Sequence, residues 1–124
     1  KGAREIMIKV ENLLEKFNKN QNQDFTVKLG EDEYQCHKLP FKQVLALDDE
    51  YDVETQKGAY DRNLEMIYLS CEVFRKLANQ LEVEGEPHNV IETVLTPIEV
   101  LTFYTQILNQ YASQMTTDVD TVKK

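Results

Sequence analysis

Five carboxylates stand within nine residues in the stretch ALDDEYDVE at 46–54: Asp48, Asp49, Glu50, Asp52 and Glu54. Oxygens clustered this way can hold a hard cation, imitate a nucleic-acid backbone, or remain in water. A calcium loop supplies oxygens at positions 1, 3 and 5, a Gly at 6 and a bidentate Glu at 12. Counted from Asp48, the first three oxygens are present, but position 6 is Val53 and position 12 is Ala59. The sharp turn and the bidentate ligand are both missing, so a solvated acidic loop is the better reading. The first acids of the run should finish a helix, where negative charge opposes the helix dipole. The run is therefore expected to unwind into a mobile linker ending at Gly58.

The other chemistry-bearing residues are few. A zinc site needs paired Cys or His spacings. Cys36 and His37 are adjacent, so a strand would point them to opposite faces, and His88 lies in a turn-rich linker. His37 reads as an exposed strand residue. No GxSxG, P-loop or GxGxxG is present, and no carboxylate pair stands out as a general acid and base. No catalytic residue, metal ligand or cofactor site is assigned, and an enzyme is not expected. Cys36 and Cys71 follow no motif; with an adequate core available, both are expected to be reduced and at least partly buried, in a cytoplasmic setting.

At 124 residues the chain reads as one domain, large enough for a core without staples. Its formal charge of −8 makes nucleic-acid binding a poor fit, because such binding rests on Lys and Arg meeting phosphates. No apolar run approaches the roughly 18 residues that a membrane span needs. No signal peptide is expected, and the start at Lys1 without Met suggests trimming ahead of it.

The elements that would position these groups follow from periodicity. Ala3, Ile6, Met7, Val10, Leu13, Leu14 and Phe17 form an apolar helical stripe over 1–17, which the polar stretch NKNQNQD ends. Phe25, Val27 and Leu29, then Tyr34 and Cys36, alternate as a β-hairpin over 24–39, with GEDE as a turn longer than two residues. Pro40 opens a helix that turns Phe41, Val44, Leu45 and Leu47 inward. Tyr60, Leu64, Ile67, Cys71, Phe74, Ala78 and Leu81 define one long helix over 59–82. NVIETVL reads as a short helix, and LTPIEVL carries a capping box, Thr96 with Glu99, that starts the last helix. The expected fold is α+β, mainly α: four to five helices with one short antiparallel hairpin. The helical core spans 40–115, and a flexible tail covers 116–124.

The last helix carries two apolar stripes. Leu101, Tyr104, Leu108, Tyr111 and Met115 form one; Val100, Phe103 and Ile107 form the other. Both could fill the core. Alternatively the second is exposed for a partner, which makes Val100, Phe103 and Ile107 the candidate partner-binding residues. The six tyrosines also suit an interface.

The order of these features, a hairpin, KLPFKQVLAL, EMIYLSCEVFRKLANQL, EGEPHNVIETVL and TPIEVLTFYTQIL, resembles the tail assembly chaperones of phages and prophages, in particular the XkdN-like group of PBSX-type prophages. The resemblance covers roughly residues 24–112 and leaves out the N-terminal helix and the tail. It implies a non-enzymatic protein in the host cytoplasm, absent from the mature virion. Such a protein binds tape measure protein, tail tube protein or both, with no nucleic acid and no membrane; it could also self-associate. No binding residue carries over from the family. The competing reading is an acidic decoy that mimics DNA before a nucleic-acid-binding partner.

Overall fold

A computed structural model describes residues 7–21 and 23–123, with side-chain detail over 7–19 and 23–112. The elements in chain order are α1 (Val10–Gln21), β1 (Asp24–Leu29), β2 (Asp32–His37), α2 (Phe41–Glu50), α3 (Gln56–Ser70), α4 (Glu72–Gln80), a 3₁₀ helix (Pro87–Thr93) and α5 (Pro97–Lys123). This is the small, mainly helical α+β fold that the periodicities predict, with a single antiparallel hairpin.

The hairpin lies across the helices. β1 packs on α5 and β2 on α4, while α3 contacts α5, α2, α4 and the 3₁₀ helix. Tyr34 of β2, Phe74 of α4 and Phe103 of α5 meet as an aromatic trio with centroid separations of 5.2 to 5.8 Å. Each such contact adds about 0.5–1.5 kcal/mol beyond the area buried. Two hydrogen-bonding side chains of α5 tie down the rest. The Tyr111 hydroxyl accepts from the Leu39 N–H at 2.7 Å and donates to the Leu39 carbonyl at 3.3 Å. The Gln106 amide accepts from the Lys28 N–H at 3.0 Å and donates to the Lys28 carbonyl at 2.7 Å. The capping box is present: Thr96 Oγ1 accepts from the Glu99 N–H, and the Glu99 carboxylate accepts from the Thr96 N–H.

Several expectations are corrected. The first helix starts at Val10 and runs into the polar stretch as far as Gln21; Ala3 and Ile6 lie outside the described residues. The hairpin turn is the two-residue loop Gly30–Glu31, not a longer one. Gly30 sits at φ +63° and no other hairpin residue has positive φ, which is the pattern of a turn with Gly in its first central position. The long helix is two helices. Cys71 is extended (φ −122°, ψ 110°) and bonded to Cys36, and the Arg75 guanidinium reaches back to the carbonyls of Tyr68 and Leu69. Those carbonyls lie at the end of α3, where intrahelical partners run out. In α2 only Leu47 is fully buried, and Phe41 and Leu45 remain half-exposed. The backbone of α5 is helical from Pro97 through Lys123.

The acidic run is not a linker reaching Gly58. Asp48, Asp49 and Glu50 complete α2, and α3 begins at Gln56. Between them the Asp52 carbonyl accepts from the Thr55 N–H and hydroxyl, and Thr55 Oγ1 caps α3 by accepting from the Gly58 N–H. Gly58 lies inside that first turn, where a Cβ would stand 1.9 Å from the Asp52 carbonyl oxygen. Asp48 pairs with Arg62, whose guanidinium lies 4.9 Å from the centre of the Tyr104 ring.

Candidate protein-interaction surfaces

Val100, Phe103 and Ile107, the residues expected to meet a partner, are each 0% exposed. α5 is covered on two sides, by the hairpin and by α3, so Tyr104 and Tyr111 of the first stripe are buried together with the second. The stripe chosen as spare is the one that fills the core, and the exposure expected of it is corrected. Among the described side chains, α5 leaves Ile98, 76% exposed, and Leu101, 57% exposed, outside; Val94, just before the helix, is also exposed.

Among the described residues, the largest apolar exposure lies on the residues just before α1 and on α1 itself. Its start is favourable, with Glu11 in the first turn and Lys19 in the last, each complementing the helix dipole. Val10, Leu13, Leu14 and Phe17 fall at i, i+3, i+4 and i+7, the spacing of a single helical face. A face of this kind normally forms because it buries itself. Here Leu13 is 49% exposed and Phe17 56%, and Met7, Ile8, Val10 and Leu14 are exposed too. Six large apolar side chains thus share one short segment, an unusual concentration for the surface of a globular domain.

The candidates for chemistry are taken up by structure. Cys36 and Cys71 are joined as a disulfide with Cα atoms 4.5 Å apart, so the reduced state expected of them is corrected; both are buried, as expected. The bond closes a 35-residue separation and leaves no thiol beside His37, which is half-buried on β2. His88 is not in an open linker. The 3₁₀ helix buries it to 1% exposure, where Nδ1 lies 2.8 Å from Glu65 Oε1 and the ring meets the edge of Tyr51. Burial, with the Glu65, Glu50, Glu86 and Asp61 carboxylates nearby, pushes the Tyr51 phenol up to about 12. Among the described residues, no group of three or more His, Cys, Asp or Glu side chains is placed to hold a metal ion. No described helix is long and apolar enough to cross a membrane.

A second surface feature is a groove of about 650 Å³ between β2 and the start of α4. The strand contributes Glu33, Gln35 and His37, the helix Glu72, Val73 and Lys76. Nothing in the separate periodicities of strand and helix places the two side by side.

The chain matches no protein family, no curated protein and no solved structure.

Proposed function

We propose that this chain is a non-enzymatic protein-binding module, and specifically a phage or prophage tail assembly chaperone that holds tape measure protein, tail tube protein or both during assembly. The observation that carries the binding role is α1, a helix whose whole apolar face stands outside the core. Apolar helices pack on such faces through anchors at i, i+3, i+4 and i+7. The morphogenetic role rests on the resemblance over residues 24–112 alone. In this reading the protein acts in the host cytoplasm and is absent from the mature virion.

The acidic-decoy reading is less well supported. A DNA mimic needs uninterrupted carboxylates at phosphate-like spacing, whereas Asp48 pairs with Arg62, Asp61 with Lys57 and Glu33 with Lys28. The disulfide pulls against a cytoplasmic setting, since cytosolic reductants keep most thiols reduced. Alkylating the protein at the moment of cell lysis, then counting blocked cysteines by mass, decides which state occurs in cells.

The functional test is co-expression with the tape measure protein of the same prophage. The wild-type chain is expected to keep the large protein soluble and to co-purify with it, and Leu13→Asp/Phe17→Asp to do neither. Equal solubility of the large protein with and without this chain overturns the chaperone reading. A concentration-dependent dimer that the same double variant abolishes would assign the α1 face to a second copy instead.

A further inference from the structure

The two edges of the hairpin are treated differently by the fold. The pair Leu29 and Asp32 closes the two-residue turn, so it is a hydrogen-bonded pair. Pairing type alternates along an antiparallel ladder, so Lys28–Glu33, Thr26–Gln35 and Asp24–His37 are non-hydrogen-bonded pairs. In such pairs the N–H and C=O groups point away from the partner strand. Three hydrogen bonds confirm the parity. Lys38 N–H donates to the Gln23 carbonyl at 3.0 Å, the next bonded pair beyond the strand ends. The outward N–H and C=O of Lys28 are both taken by Gln106, whose side-chain amide occupies the place of a third strand.

Among the described residues, the outer edge of β2 has no such cover. Its outward groups belong to Glu33, Gln35 and His37, and those three residues line the groove against α4. Edge strands of this kind accept an added strand from another chain. The walls select what that strand carries. Asp24, Asp32, Glu33 and Glu72 line the groove with Lys76 as the only lysine or arginine of the lining, Lys28 reaches Glu33 from β1 at 3.9 Å, and Val73, 50% exposed, gives an apolar contact on the helix side.

We propose that the groove between β2 and α4 binds an extended, basic segment of a partner protein, which adds as a third strand beside Glu33, Gln35 and His37. Side chains of such a segment alternate, so lysine or arginine at every second position, on the face that Glu33 shares with Asp24, meets those two carboxylates, while the residues between them turn to the helix side, where Val73 and Glu72 lie. From Glu33 to His37 the edge spans five residues, which sets the length of the contact at roughly 15 Å from the rise per residue. This site is separate from the α1 face and does not depend on the chaperone reading.

The probe is an acetylated and amidated heptapeptide of alternating lysine and valine, added to the full chain. Binding is read by fluorescence anisotropy, and its position by hydrogen exchange of individual amides. The expected result is slowed exchange at Glu33, Gln35 and His37, and binding weakened at least about tenfold, or 1.4 kcal/mol, when alternate peptide nitrogens are methylated. Glutamate in place of lysine should abolish it. Gln35→Pro removes an outward N–H and no ladder bond, so it should weaken binding in a folded protein. If that variant does not fold, Glu33→Lys/Glu72→Lys gives the charge arm alone, with the same loss expected. Leu13→Asp/Phe17→Asp should leave peptide binding unchanged. Undiminished binding of the N-methylated peptide, or no slowing at the three β2 amides, overturns the proposal.

Discussion

Single atoms decide more here than the residue types suggest. Tyr111 presents an apolar ring to Phe41 and a hydroxyl to both backbone groups of Leu39, and so it holds the chain between β2 and α2 against α5. Tyr111→Phe keeps the ring and leaves the Leu39 N–H without its partner. It is expected to cost about 1–3 kcal/mol in urea unfolding, the desolvation cost of an unmet buried donor. Gly58 is required for space rather than for its φ, since a Cβ would drive into the Asp52 carbonyl. Gly58→Ala is expected to destabilise by about 1–3 kcal/mol, as overpacking does, and to lower the thermal midpoint correspondingly. Neither requirement is visible in the sequence. Gly58 looks like a loop residue until the turn at Asp52 is folded, and Tyr111 looks like one more member of an apolar stripe.

At the scale of elements, the readable features are those whose causes are local. The Thr96/Glu99 capping box and the alternation of Phe25, Val27 and Leu29 specify their elements within a few residues, and both are present. The break between α3 and α4 has distant causes, the Cys36 bond and the reach of Arg75, so a periodicity running through Cys71 concealed it. Two parallel stripes on α5 cannot reveal from the sequence alone which is covered. The element left uncovered is α1, and its substitutions should therefore behave as surface changes. Leu13→Asp/Phe17→Asp is expected to shift the unfolding free energy of the isolated chain by no more than about 0.5 kcal/mol per site. A loss of several kcal/mol on chemical denaturation would mean that α1 packs into the domain.

For the whole molecule, two linkages bear on stability. The Cys36–Cys71 bond constrains the unfolded chain across a 35-residue separation, worth about 2–4 kcal/mol. Denaturant unfolding with and without a phosphine reductant should show that difference, and identical curves would show that the bond contributes nothing. The second linkage is alkaline. The Tyr51 phenol is raised from its ordinary 10 to about 12, and burial also raises those of Tyr104 and Tyr111. The folded state holds these protons more tightly than the unfolded chain. Their contribution is therefore fully present below pH 10 and is lost as pH rises from 10 towards 12. Stability measured across that window should fall steadily, and phenolate absorbance should show Tyr51 ionising late or only with unfolding.

By itself the sequence determined the hairpin, the Pro-led and capped helices and the amphipathic first helix, though not the break between α3 and α4. Periodicity, capping and turn chemistry act over one or two turns of chain, so they are readable without a fold. Tertiary structure alone decided which apolar faces find cover, that the two cysteines meet, that His88 is buried against Glu65, and that one hairpin edge is met at Lys28 by Gln106 while the other faces a groove. Each of these depends on two segments far apart in sequence arriving at the same place, and no local pattern encodes that meeting. The surfaces open to partners are what those meetings leave over.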